Sequence, residues 1–167
     1  AGLQSFEYIG PEMRLPERAL FANLWLFSPL ILRELSKTPS TNALIRTTTA
    51  VTMFDGGVKE NVLPSRARAV VNFRILPGDT SADVLAHTSA TIGDPRVHVG
   101  RLGDTGGEPS PTSSPEAPSF ALLQKTVRQL VPDAIVPPTL VLGATDARHY
   151  TTLSPNVYRF LPVVVRS

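Results

Sequence analysis

The fold of this chain is decided by residues 42–78, which read NALIRTTTAVTMFDGGVKENVLPSRARAVVNFRILPG. Two runs rich in strand-forming residues, Ala43 to Phe54 and Ala67 to Ile75, flank a connection that begins with an Asp-Gly-Gly turn. The second run alternates with a period of two, which is typical of a strand with two distinct faces. We therefore expect an antiparallel pair of strands, with Arg74 near the end of the second strand and Asn61 in the connection.

Helical patterns lie on both sides of this pair. Before it, apolar residues recur at spacings of three and four from Leu20 to Leu35, and Pro29 is expected either to interrupt this helix or to begin a second one. Trp25 is expected to be a core residue. After the pair, Thr80 or Ser81 is expected to cap a helix that runs through Ile92.

A third strand is expected at residues 96–102, where apolar and polar residues alternate. Helix, strand, strand, helix and strand together predict an α+β fold, in which an open-faced antiparallel sheet carries helices on one face. Residues 1–16 show no clear period and are expected to be loop.

The second part of the chain has a different pattern, typical of an α/β domain. After a crossing rich in Gly, Pro and Ser at residues 103–118, we expect a helix capped by Ser119 that runs through Val131. An apolar strand at residues 135–142, a turn into a helix from Gly143 and a short strand at residues 156–160 are expected to follow.

Composition excludes several classes of function. The 167 residues carry a formal net charge of +2 without a basic run, so neither nucleic acid nor a membrane surface is expected as a partner. No apolar stretch is long enough to span a bilayer. The chain has no Cys, which removes disulfides and thiolate metal ligands.

The residues of a hydrolytic metal site are not recognisable in this sequence. A two-metal hydrolase needs several His and carboxylate ligands and a carboxylate base. The three histidines, His87, His98 and His149, lie in unrelated contexts, and none belongs to a His-x-Asp or His-Glu-x-x-His arrangement. We therefore predict no catalytic residue and no metal ligand in this segment.

Four ordered motifs carry a resemblance to a known family. They are TNALIRTTTA at residues 41–50, GGVKENVLP at residues 56–64, VNFRILPG at residues 71–78 and GATDAR at residues 143–148. Together they resemble the carboxypeptidase S-like branch of the zinc-dependent aminoacylase/carboxypeptidase family. The resemblance implies that residues 1–104 are part of the lid, or dimerisation, domain, a βαββαβ unit whose first strand is missing here. It implies that residues 105–167 are the C-terminal part of the catalytic domain.

The same resemblance implies a set of substrate-binding residues. Asn61 and Arg74 match the lid residues that hold the free carboxylate of the substrate, for which an Arg fork and an amide donor are chemically suited. Gly143, Thr145 and Asp146 match a loop that closes over the substrate. Simpler interpretations stay open, because Arg74 can be a solvated strand-end residue, Asn61 a turn residue, and Thr145 or Asp146 a helix N-cap.

For the parent protein, the resemblance implies a hydrolase that cleaves an amide bond next to a free carboxylate. Two zinc ions are expected there, held by residues outside this segment, with a small peptide or an N-acyl amino acid as substrate and a homodimer formed through the lid. This segment by itself is expected to be inactive. The alternative is a non-catalytic dimerisation or small-molecule-binding α+β module, in which the exposed edge of the sheet pairs with a second copy.

Overall fold

A computed structural model of the chain describes residues 4–103 and 107–160 and has helices together with a two-stranded antiparallel sheet, so the predicted α+β class is confirmed. The chain divides into two compact units. One contains the described residues up to Ile45 and those from Ser110 onward, and the other is Arg46–Pro109. The predicted boundary between a partial lid and a partial catalytic domain at residue 104 stays a prediction.

The Arg46–Pro109 unit contains the predicted hairpin. Strand β1, Thr48–Gly56, pairs antiparallel with strand β2, Ala67–Arg74, so that Thr48 faces Arg74 at one end and Gly56 faces Ala67 at the other. The register shifts by one residue between Val51 and Met53, where β1 contains an extra residue and forms a bulge. Nearly every β1 residue is exposed, whereas Val70, Val71 and Phe73 of β2 are half-buried.

The helix after the hairpin was correctly predicted. Helix α5, Ser81–Ile92, begins with a capping box in which the Thr80 hydroxyl accepts from the Asp83 N–H and the Asp83 carboxylate accepts from the Thr80 N–H. The helix ends at Gly93, whose φ of 63° is the left-handed conformation that glycine adopts without strain. Both ends are therefore fixed by local chemistry.

Three expected strands are not formed. Residues 96–102, 135–142 and 156–160 have no strand in the structure, and the two-stranded sheet is the whole of the sheet structure among the described residues. At the first of these segments the Asp94 carboxylate pairs with Arg96 at 2.7 Å and the chain turns. Alternation of residue types is compatible with a strand, but a strand exists only where a neighbour supplies hydrogen-bonding partners.

The N-terminal region is helical, so the expected loop at residues 1–16 is wrong where the structure describes it. The helices are α1 (Gln4–Ile9), a 3₁₀ turn (Gly10–Glu12), α2 (Leu15–Ala22), α3 (Leu24–Leu35) and α4 (Pro39–Asn42). Phe6 stacks on Phe21 with ring centroids 4.8 Å apart, which joins the first helix to the second. The break between α2 and α3 lies at Asn23, and Pro29 is inside α3. Trp25 is 81% exposed, which contradicts the expected core position.

The unit that contains the described residues up to Ile45 and from Ser110 onward has a small core. Ile31 and Phe120 are its buried apolar side chains among the described residues, with 6% and 5% of their surface exposed. Phe120 lies on helix α6, Pro118–Leu130, which confirms a helix here and places its end one residue before the predicted Val131, whereas the N-cap is Ala117 and not the predicted Ser119. The Phe120 ring contacts the rings of Tyr8 and Tyr158 at centroid distances of 6.4 and 5.4 Å. One aromatic side chain thus joins α1, α6 and the segment around Tyr158.

Candidate functional site

The hairpin places the two predicted carboxylate-binding residues at opposite ends. Arg74 closes β2 opposite Thr48, whereas Asn61 lies in the connection beyond the Gly56 and Ala67 end. At about 3.3 Å per residue, the length of β2 corresponds to roughly 23 Å. The motif predicts a shared role for both residues, but within one hairpin they lie at opposite ends.

The Arg74 end of the hairpin is held by a polar bridge. The Thr47 hydroxyl donates to the Asp79 carboxylate at 2.5 Å and accepts from the Leu76 N–H at 3.0 Å. This bridge joins the residue before β1 to the segment after β2, which fixes the backbone that carries Arg74. Arg74 itself is exposed, so its guanidinium is on a surface that a solute can reach.

The Asn61 end has the geometry of a turn. Asn61 is exposed, and the Val62 N–H donates to the Lys59 carbonyl at 3.3 Å across it. Gly57, with φ of 84°, provides the left-handed residue that lets the chain leave β1. A turn residue is therefore a sufficient explanation of Asn61, and its role in binding stays a prediction.

The second predicted group lies in the other unit. Gly143, Thr145 and Asp146 are exposed, and Asp146 opens a 3₁₀ helix, Asp146–Tyr150. Thr145 occupies the N-cap position, but its hydroxyl makes no capping hydrogen bond. That hydroxyl accepts instead from the Nε–H of Arg159 at 2.9 Å. The N-cap interpretation is therefore wrong for the Thr145 side chain.

Arg159 was not assigned a role from the sequence. Its Nη2 also donates to the Ser110 hydroxyl at 3.2 Å, so the guanidinium connects Ser110 with Thr145. Ser110 and Thr145 are 35 positions apart, and Thr145 and Arg159 are 14 positions apart. Neither helix nor strand periodicity relates residues at these separations, so the sequence does not predict this contact. Only the folded chain brings them together.

The described residues do not fit a metal centre. Residues 4–103 and 107–160 contain no group of three or more His, Cys, Asp or Glu side chains that could hold a metal ion. His87 and His98 are exposed on separate segments, and the His149 imidazole accepts from the Arg148 Nε–H at 3.2 Å.

The perturbed carboxylates belong to a helix end and a turn. Hydrogen bonds from Thr80 lower the pKa of Asp83, and hydrogen bonds from the Ser81 hydroxyl and N–H lower the pKa of Glu108. Arg96 lowers the pKa of Asp94 in the same way. Each of these groups is explained by capping or turn formation, which favours a structural role over an acid–base role.

Comparison with known proteins agrees with the motifs. A family described as peptidase dimerisation domain matches residues 21–98. A carboxypeptidase S-like protein of Dictyostelium discoideum is 46% identical over 162 residues, which are 97% of this chain and 31% of that protein. The N-fatty-acyl-amino acid synthase/hydrolase of Homo sapiens is 40% identical over 96% of this chain and 32% of that protein.

A more distant relative is carboxypeptidase S of Saccharomyces cerevisiae, 29% identical over 74% of this chain and 26% of that protein. No solved structure is significantly similar. In the part of the chain that the structure covers, no helix has both the length and the apolar character needed to cross a membrane.

The chain spans about a third of the length of the curated relatives it matches. On these similarities, the chain belongs to the aminoacylase/carboxypeptidase family of peptidases and carries that family's dimerisation domain.

Proposed function

We propose that this chain is a segment of a hydrolase that cleaves an amide bond next to a free carboxylate, acting on a small peptide or an N-acyl amino acid. The observation that supports it most is the similarity along nearly the whole chain to proteins named as carboxypeptidases and N-acyl-amino-acid hydrolases. In this proposal the segment supplies dimerisation and substrate recognition. The metal ions and the catalytic base come from other parts of the protein.

Arg74 is the residue to which we assign the substrate carboxylate. It is exposed at the end of a strand, and the Thr47 bridge fixes the backbone beside it. A guanidinium binds a carboxylate through two parallel hydrogen bonds, which fixes both position and orientation. Asn61 contributes an amide donor, and Gly143, Thr145 and Asp146 form the loop over the substrate.

Dimerisation is supported by the exposed hairpin. Within the described residues β1 pairs only with β2, so its other edge presents backbone donors and acceptors. Several large apolar side chains of the hairpin are exposed, including Val51, Met53, Phe54 and Leu63. A monomer that exposes such a strand is prone to non-specific association, whereas pairing with a second copy covers both features.

The test is carried out on the full-length protein with an N-acyl amino acid and its methyl ester. Replacing Arg74 by Ala removes a charge-assisted interaction, and KM for the acid is expected to rise roughly 10- to 150-fold. The ester lacks the carboxylate, so its KM should change little. Arg68→Ala is the matched control, since Arg68 is an exposed arginine on the same strand.

Two results would contradict the proposal. One is a wild-type protein that hydrolyses neither compound when zinc is supplied. The other is an equal loss for Arg68→Ala and Arg74→Ala. A protein that forms dimers but has no hydrolase activity would favour the alternative, a non-catalytic dimerisation module, for which the exposed edge of β1 is the supporting observation.

A further inference from the structure

The segment at residues 143–146 makes a side-chain hydrogen bond to a residue outside it. Thr145 is at the N-cap position of the 3₁₀ helix, where a threonine hydroxyl ordinarily accepts from a backbone N–H of the first helical turn. Here the hydroxyl oxygen accepts from the Arg159 Nε–H at 2.9 Å. The Thr145 side chain is therefore directed by a tertiary contact and not by its own helix.

Arg159 is held in place from several directions. Its Nη2 donates to the Ser110 hydroxyl at 3.2 Å, and the side chain is half-buried. The two residues before it are also tied down. The Ser113 hydroxyl accepts from the Val157 N–H at 2.9 Å and donates to the Val157 carbonyl at 3.0 Å, and the Tyr158 hydroxyl donates to the Ser114 carbonyl at 2.7 Å. Three successive residues are thus bonded to residues 110–114, which limits the movement of the guanidinium.

This arrangement has a consequence for the Thr145 hydroxyl. A hydroxyl group has one proton to donate and two lone pairs that accept. When a lone pair accepts from a guanidinium, the proton points away from the cation, and the positive charge strengthens the O–H group as a donor. The Thr145 hydroxyl is thereby prepared to donate to an oxygen atom outside the protein, at the exposed surface of the turn.

We propose that Arg159 is a positioning residue, which orients the Thr145 hydroxyl so that its O–H donates to a carboxylate or carbonyl oxygen of the bound substrate. This role rests on the hydrolase function proposed above. Arg159 does not touch the substrate; it acts through Thr145. The second hydrogen bond, from Arg159 Nη2 to the Ser110 hydroxyl, restricts the rotation of the guanidinium that donates to Thr145.

The experiment compares variants of the full-length protein by steady-state hydrolysis of an N-acyl amino acid. Thr145→Val removes the hydroxyl, Arg159→Gln removes the cationic donor, and a third variant combines both. We expect KM to rise about tenfold in each single variant, with kcat little changed, because a hydrogen bond to the bound substrate is lost. The double variant should match the single ones, since both changes remove the same hydrogen bond.

Two further variants separate positioning from folding. Thr145→Ser keeps the hydroxyl and should keep the wild-type KM within about twofold. Arg128→Gln is the matched control, because the Arg128 Nε–H donates to the Ala134 carbonyl at 3.3 Å, away from the turn. Its KM should equal that of the wild type. Melting temperatures are measured for all variants, since a role confined to folding would lower them and leave KM unchanged.

The outcomes are distinct. An active wild type whose KM does not respond to Arg159→Gln overturns the positioning role alone, and so do multiplicative effects in the double variant. A fall in kcat and melting temperature without a change in KM also overturns it. A wild type without hydrolase activity overturns the proposed function and, with it, the role of Arg159.

Discussion

Replacing Phe120 by Ala tests whether one aromatic side chain holds the helical unit together. Phe120 is 5% exposed and contacts Tyr8 and Tyr158, so it links α1, α6 and the segment that carries Arg159. A buried Phe removes at least about 150 Å² from water, which at about 25 cal/mol per Å² stabilises the unit by about 4 kcal/mol. This agrees with the 3–5 kcal/mol that truncation of a buried Phe typically costs.

Leu122→Ala is the matched control on the same helix. Leu122 is 64% exposed, so about a third of its apolar surface is buried and its truncation should cost about 1 kcal/mol or less. The assay is urea unfolding combined with hydrogen exchange of the α1 and α6 amides. A loss of 4 kcal/mol increases exchange about 1,000-fold when the exchange rate is set by the equilibrium between closed and open forms. Equal effects of the two substitutions, or a cost below about 1 kcal/mol for Phe120→Ala, would refute the assignment of Phe120 as the anchor.

Three more predictions concern helix α5. Thr80→Ala removes the capping hydroxyl and should lower the stability of the helix by about 1 kcal/mol, which is measured as roughly fivefold faster exchange of the first α5 amides. Ser89→Ala on the same helix is the control and should leave the exchange of these amides unchanged. Gly93→Ala places a β-carbon on a residue with φ of 63° and should lower the free energy of unfolding by about 1 kcal/mol, measured by thermal unfolding. Gly100→Ala is the control and should cost less, because φ there is not left-handed and no atom lies within 4 Å of the added β-carbon. The Ser81 hydrogen bonds lower the Glu108 pKa below its ordinary 4.5, so their stabilisation is present above pH 4.5 and is lost as the pH falls below that value. Exchange of the Ser81 amide should therefore become faster at low pH, after correction for the intrinsic exchange rate, and Glu108→Gln should remove this pH dependence. An unchanged pH profile in Glu108→Gln would contradict the prediction.

Helix α5 was predictable because everything that defines it lies within its own sequence. Thr80 and Asp83 are three positions apart, as a capping box requires, and Gly93 follows the last turn. The existence of the hairpin was predictable for a similar reason, because alternation specifies a pair of neighbouring strands. Its bounds were not: β1 begins at Thr48 and not at Ala43, and it includes Asp55 and Gly56, which were expected to form the turn. The bulge at Thr52 was not predictable, because its position depends on the pairing register between β1 and β2.

The errors concern features that depend on distant partners. Residues 96–102 alternate like a strand, but no described strand lies beside them. Trp25 was expected in the core from its residue type, but the face of α3 that carries it is exposed, and Ile31 is the buried residue of that helix. The helix at residues 4–9 is joined to α2 by the stacking of Phe6 on Phe21, a contact with no signature in the periodicity of either segment.

The same limit applies to the proposed substrate contacts. Asn61 and Arg74 are 13 positions apart in the sequence, and motifs identify residue types at such spacings without giving the distance between them in space. The hairpin register separates them by a length comparable with that of β2, which is far more than the reach of one carboxylate. If both residues bind the same carboxylate, they must come from two chains, and recognition then requires the dimer. In that case the dimerisation proposed for the exposed edge of β1 and a carboxylate site shared by Asn61 and Arg74 depend on each other. Dilution below the dimer dissociation constant should weaken binding of the acid substrate in the wild type and leave binding of its ester much less affected.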